Sequence, residues 1–410
     1  MLLKNVRLET ALKKVKGQTL ATETAIFDLR IENDRIVEIK THIAPADQEI
    51  VYDVEGNLLV PSMREMHIHI DKTYFGGEWK ACRPIINGIQ TRIDEEKWLL
   101  PSQEATSYQR AEAMIKHYLS QGHNHIRTHV NIDPIMKTRH LAMVVELLKK
   151  YEDVLTYEIV AFPQHGLLKS DVAGLIREAL AMGATHVGGV DPSLVDRHVD
   201  RSLQQIFDLA SEQNKKIDLH LHARNSLGLY EFEKIIAYTK QYQYQGKVTL
   251  SHAMALGDLN ATELESIAKK FAETNIDLTT TIPIRNTTMP ILDLEKAGVG
   301  VSLGHDSLTD HWSPFGSGNT IEKLNTVAQR FSISDEYRLS RLLGFATNQL
   351  TPLDSQGIQQ WPRVGDKADF FTVNAQSTAH MIARNLPIEQ VFANGKLIAT
   401  RGEVDDSIFK

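Results

Sequence analysis

From the N-terminus, apolar and polar positions alternate with a period of two. Leu2 to Leu8 alternates, Ala25 to Ile31 alternates, Asn33-Asp34 marks a turn, and Ile36 to Ile39 resumes the pattern. Residues 1–60 are therefore predicted to be short strands with one buried face. The far end has the same texture. Asp369 to Val373 is apolar, and Val391-Phe392-Ala393, the Asn394-Gly395 turn and Leu397-Ile398-Ala399 spell a hairpin. Two β-rich ends around a different middle predict that residues 1–60 and 362–410 fold together as a small β-sandwich domain. Two unrelated terminal hairpins are the alternative.

The middle, residues 61–361, changes period. Strand-like apolar runs lie at 65–69, 125–130, 156–162, 186–190, 217–222, 248–252, 276–281 and 299–303, with helical stretches between them such as 111–120, 141–150, 202–213 and 261–274. Eight strands in a βα alternation is the count of a closed (β/α)₈ TIM barrel. Spacing sharpens this. One residue near each strand end, His69, His129, Phe162, Asp191, His220, His252, Thr281 and Asp306, gives intervals of 60, 33, 29, 29, 32, 29 and 25 residues. Six of these match one βα unit of about 30 residues. The long first interval holds 74–102, rich in Gly, Trp and charge, and predicts an elaborated loop above the strand ends. A doubly wound open sheet also alternates, but it would not set ligand-type residues at the ends of so many strands.

Composition narrows the partners. A net charge of −7 without a Lys/Arg run gives no nucleic-acid footprint. The single cysteine, Cys82, excludes an internal disulfide and suits a reducing compartment. Met1-Leu2-Leu3-Lys4 leads straight into the alternating pattern, and no apolar run approaches the ~18 residues of a membrane span. A cytoplasmic homo-oligomer with no membrane partner is expected.

The 17 histidines carry the chemistry. His67-Ile68-His69 alternates on one strand, so both imidazoles share a face about 6–7 Å apart at their backbones and can share one ion. His220 with His222 ends the fifth strand, Ser251-His252 the sixth, and Gly304-His305-Asp306 the eighth. A closed barrel brings these ends to one mouth, where the chemistry of this fold resides. Any one of these histidines alone reads as an ordinary hydrogen-bonded residue; four coincidences at strand ends do not.

The string Met66-His67-Ile68-His69-Ile70-Asp71-Lys72, with Thr128-His129-Val130, Phe162-Pro163-Gln164-His165-Gly166, Val187-Gly188-Gly189-Val190-Asp191-Pro192, Asp218-Leu219-His220, Ser251-His252-Ala253-Met254 and Gly304-His305-Asp306 through Trp312-Ser313-Pro314-Phe315-Gly316, resembles the amidohydrolase superfamily. Within it the string is similar to the cytosine deaminase-like branch and the N-isopropylammelide amidohydrolase type. The likeness runs almost the whole chain, through Val364-Gly365-Asp366-Lys367-Ala368-Asp369. It implies that His67, His69, His220 and Asp306 bind one divalent ion, Zn²⁺ or Fe²⁺. Two-metal relatives need a lysine at the fourth strand's end, which here reads Gly188-Gly189-Val190-Asp191. The resemblance further implies that Asp306 accepts a proton from water and that His252 stabilises the developing alkoxide. Gln164 is implied to contact the substrate ring, with Lys72, Asp191, His222 and Trp312 as pocket residues.

The sequence departs from the family at two places. The deaminases carry Glu or Asp three positions after the fifth-strand histidine, where this chain has Ala223, followed by Arg224. Alanine carries no proton, so the duty of protonating the leaving amine would pass to His222, Lys72 or Asp306. His222 is expected beside the ion, with its pKa lowered by that charge. The entry to the first strand, Pro61-Ser62-Met63-Arg64-Glu65, also lacks the usual glycines. The expected function is a metal-dependent hydrolase of carbon–nitrogen bonds other than peptide bonds. It would release an amino or alkylamino group from a pyrimidine- or triazine-like small molecule. Cyclic-amide hydrolysis on the same scaffold and a non-catalytic, metal-bound ligand-binding barrel are the alternatives.

Overall fold

A computed structural model describes residues 1–284 and 287–409. Eight parallel strands run in sequence order: β1 (Met63–Ile68), β2 (His123–Asn131), β3 (Thr156–Phe162), β4 (His186–Val190), β5 (Lys216–His220), β6 (Val248–Ser251), β7 (Asp277–Thr280) and β8 (Val301–Leu303). Apolar residues such as Ile126, Val130, Ile159, Val187, Leu219 and Leu250 are buried, as strands covered on both faces require. Helices separate the strands, and the end of β1 meets the segment just after β8 at a parallel bridge between Ile68 and Asp306. This is the expected (β/α)₈ barrel.

The first βα connection differs from expectation. Residues 74–102 are not loop throughout, because helix α1 (Gly88–Ser120) begins inside them and continues past Pro101. Its first turns bury Arg92, Glu95 and Glu96 alongside Ile93, Leu99 and Leu100. Charged residues on the inner face and a proline hid the helical period.

Strands from both chain ends form a second sheet. Its path runs 403–404, 396–400, 388–393, 370–373, 58–61, 2–15, 18–32 and 35–40, with 51–53 also paired to the first long strand. The ends join where Phe370 pairs with Pro61, Phe371 with Val60, Thr372 with Leu59 and Val373 with Leu58. One apolar core holds Leu3, Val6, Leu8, Leu29, Phe370 and Phe392. The Asn394-Gly395 hairpin is present, with φ of 50° and 71° at its two turn residues.

We expect deletion of 362–410 to strip the N-terminal strands of this shared core. The truncated protein should aggregate or lose cooperative unfolding in circular dichroism. A soluble product melting at the full-length temperature would refute the pairing.

Candidate functional site

The ends of β1, β5, β6 and β8 converge on one point. Asp306 Oδ1 lies 3.3 Å from His67 Nε2 and 3.2 Å from His69 Nε2, and Oδ2 lies 3.9 Å from His252 Nε2. Ligand-type atoms of His67, His220, His252 and Asp306 all lie within 4.8 Å of one another. The four imidazoles are at most 4% exposed. His220 stacks on Phe162 with ring centroids 4.0 Å apart.

Each first-strand imidazole is fixed by its other nitrogen. His69 Nδ1 lies 3.0 Å from the His129 carbonyl, which only accepts, so Nδ1 carries the hydrogen. His67 Nδ1 lies 2.8 Å from Ser251 Oγ, whose own hydrogen goes to Asp218 Oδ1 at 2.6 Å. Asp218 is tied in turn to Arg127, 2.9 Å away. In its neutral form each ring therefore presents a bare Nε2 lone pair to Asp306, and burial holds His69 below its ordinary pKa. Bare nitrogens pressed against a carboxylate oxygen repel unless a cation lies between them. His67 Nε2, His252 Nε2 and both ring nitrogens of His220 are buried without a hydrogen bond. This donor set fits a divalent ion held by imidazole and carboxylate.

The backbone is shaped to the same end. Asp306, His252 and Asp191 all adopt positive φ, at 61°, 67° and 40°, a conformation costing of order 1–3 kcal/mol for such residues that clusters at functional sites. At the seam between β8 and β1, Asp306 N donates to the His67 carbonyl at 2.6 Å, and His69 N donates to the Asp306 carbonyl at 3.3 Å. Glu65 is buried there and accepts from the amides of both His67 and His305, at 2.9 and 3.0 Å. A Cβ on Gly304 would sit 2.5 Å from His67 Cβ. Only glycine lets the strands approach this closely.

Beside the cluster lies a cavity of about 180 Å³ whose lining includes His222, Lys72, Gln164, Trp312 and Ile89. β5 ends at His220, so His222 lies just beyond the strand instead of on it. Asp191 brings it back to the cavity, its Oδ1 accepting the His222 amide at 2.5 Å and its Oδ2 facing Nδ1 at 2.8 Å. Burial would lower the His222 pKa, but Asp191 overrides it and holds the imidazole above its ordinary value. That pull opposes the lowering expected from an ion's charge. Ala223 is buried. Lys72 is 2% exposed and donates to Gln164 Oε1 at 2.9 Å, with Trp312 5.5 Å away at its ring centroid.

Sequence reasoning missed Glu96. This buried α1 carboxylate accepts from His165, His311, Trp312 and Asn131 at 3.0–3.1 Å and pairs with Lys72 at 3.4 Å. A Glu-Glu pair in a charged stretch carries no signal of its own. Glu65, Ser251 and Asp218 were passed over in the same way, although the last two sit inside quoted motifs.

The amidohydrolase family profile matches residues 100–398. The chain belongs to the amidohydrolase family. As an amidohydrolase it is a hydrolase of carbon–nitrogen bonds other than peptide bonds. It is 37% identical over 399 residues to the uncharacterized protein YahJ of Escherichia coli (strain K12), covering 97% of this chain and 87% of that one. It is 29% identical over 392 residues to N-isopropylammelide isopropyl amidohydrolase of Pseudomonas sp. (strain ADP), covering 94% and 96% of the two chains. The crystal structure of N-isopropylammelide isopropylaminohydrolase from Burkholderia multivorans ATCC 17616 superposes with a TM-score of 0.86 at 29% identity, over 98% of this amidohydrolase and 99% of that chain. Among the described residues no helix is long and apolar enough to cross a membrane.

Gly304→Ala should force β8 away from His67. Overpacking of this kind typically costs 1–3 kcal/mol. The thermal midpoint should fall by several degrees, and an unchanged midpoint would contradict the close seam.

Proposed function

We propose that this amidohydrolase displaces an amino or alkylamino group from a pyrimidine- or triazine-like ring by hydrolysis, using one zinc or ferrous ion held by His67, His69, His220 and Asp306. The observation that carries the reading is the set of bare, buried imidazole nitrogens facing Asp306 beside a cavity of about 180 Å³, room for a single small ring. The names of the isopropylammelide-acting relatives agree with it. The chemistry such an ion supplies when bound is the acidification of water, from a pKa of ~15.7 toward ~7.

The chain's own groups divide the remaining work. Asp306 Oδ1 faces the His67 and His69 nitrogens while Oδ2 faces His252, so the carboxylate offers one oxygen to the ion and the other to a proton. His252 is kept well below its ordinary pKa by burial against the opposing pull of Asp306. It is a neutral group suited to hydrogen-bond the oxygen that becomes an alkoxide. Gln164, Lys72 and Trp312 hold the ring from the other side. A displaced amine leaves poorly unless protonated, and general acid catalysis is typically worth 10²–10⁴-fold. With Ala223 in the usual position, we assign that proton to His222, whose Nδ1 is committed to Asp191 and whose Nε2 remains for the cavity. The free thiol of Cys82 supports a cytoplasmic setting.

A screen for ammonia or amine release over amino-substituted pyrimidines and triazines, with metal-loaded and metal-stripped protein, tests the reading. Loaded protein should turn over at least one ring, and silence across the panel would overturn amine displacement. Elemental analysis should find about one zinc or iron per chain, with His67→Ala or Asp306→Ala losing the ion or all turnover. Two tightly held ions, or full occupancy in either variant, would overturn the ligand set. His222→Asn should lower kcat by about 100-fold with metal retained. If it leaves kcat untouched while Ala223→Glu raises it, the proton does not come from His222.

A further inference from the structure

The helix that follows β5 (Asn225–Gln241) buries an apolar face of Gly228, Phe232, Ile235 and Ile236, and in the middle of that face stands Glu231. Glu231 is fully buried. Taking a carboxylate out of water is costly, and a well-packed apolar side chain is often no less stable in such a place. Packing alone does not call for a glutamate there.

What Glu231 holds is a corner of the chain. The Ser193 amide donates to its Oε1 at 2.9 Å. Ser193 lies two residues after Asp191, whose φ is 40° and whose carbonyl accepts from the amides of Leu194 and Val195 at 3.1 and 2.9 Å. Glu231 thereby ties the left-handed corner that carries Asp191 to the helix. The same helix face reaches the other partner. Gly228, one turn before Glu231, packs so closely on the segment after His222 that a Cβ would come within 2.6 Å of the Ala223 carbonyl. One face of one helix therefore fixes the backbone on both sides of the Asp191–His222 contact. There Asp191 Oδ1 accepts the His222 amide at 2.5 Å and Oδ2 faces Nδ1 at 2.8 Å. The charges are coupled as well. Burial raises the pKa of Glu231, the Asp191 carboxylate adds to that rise, and the His222 imidazole opposes it.

We propose that Glu231 is a positioning residue for the proton donor: by pinning the Asp191 corner to the helix after His222, it fixes the direction of the His222 imidazole and so presents Nε2 to the leaving amine. The proposal rests on the reading of His222 as the acid in amine displacement and adds the buried group that aims it. Glu231 touches neither ion nor ring. It acts through Ser193 and Asp191, as the outer partners of functional groups commonly do. Its loss would leave Asp191 on a corner held from one side, and the imidazole free to swing with it.

Two readouts test this. Long-range proton–nitrogen spectra of histidine-labelled, zinc-loaded protein report the ring itself, with His222 assigned by its loss in His222→Asn. Glu231→Leu, which removes the acceptor, should move or broaden the His222 nitrogen signals, and Glu231→Gln, which keeps it, should leave them close to native. On the amino ring turned over fastest in the amine-release screen, Glu231→Leu should lower kcat by about 10–100-fold, with KM and zinc content held within about twofold. Glu231→Gln should keep kcat within about threefold of native. In the His222→Asn background Glu231→Leu should cost nothing further, because the two residues act as a unit. Should Glu231→Leu fail to fold, Glu231→Ala must give the same losses. Unmoved His222 signals, a loss as large in Glu231→Gln as in Glu231→Leu, or a further loss in the His222→Asn background would overturn the proposal. If no amino ring is turned over, the amine-displacement reading fails, and the His222 signals alone decide whether Glu231 aims the ring.

Discussion

The whole site hangs on one requirement: several imidazoles must present bare nitrogens to a carboxylate inside an interior that excludes water. Each unpaired nitrogen there forgoes a hydrogen bond, and a buried polar atom without a partner costs about 1–3 kcal/mol. The chain meets the requirement by hydrogen-bonding the opposite side of the ring. The His129 carbonyl holds His69, and Ser251 holds His67. Ser251 is in turn held by Asp218, and Asp218 by Arg127. A line of polar groups thus runs from the barrel interior up to the ion site, and every member has its direction set by the one beneath it. Partners of this kind typically govern metal affinity by 10–100-fold.

The same requirement explains the unusual backbone. Ligands on β1 and β8 can face one another only if those two strands nearly touch, and Gly304 permits this where any Cβ would strike His67. Glu65 then collects the amides of His67 and His305 that a regular ladder would have paired. The positive φ at Asp191, His252 and Asp306 turns each side chain from its strand end into the mouth. α1 closes the far side, and Glu96 gathers four segments around the cavity.

Much of this was legible in the sequence because barrels put their chemistry at regular intervals. Apolar runs about 30 residues apart marked the strands, and the histidines at their ends marked the mouth. His67, His69, His220 and Asp306 were visible because residue type, spacing and motif agreed. Glu96 and Glu65 were not. Both are buried by contacts with residues far along the chain, and a glutamate destined for the interior has the same local signature as one in solvent. The helix from Gly88 was hidden for the same reason, its inner face being partly charged. His222 was placed in the cavity for the wrong reason, since Asp191, not a continuing strand, brings it there.

The central claim is that three imidazoles and one carboxylate meet at a single ion. Anomalous diffraction at the zinc edge from crystals of zinc-loaded protein tests it most directly. The account predicts one peak per chain, about 2.0–2.2 Å from Nε2 of His67, His69 and His220 and from an oxygen of Asp306. A peak seated instead among His67, His129 and Asp218, the other cluster able to hold an ion among the described residues, or two peaks at the barrel mouth, would contradict it.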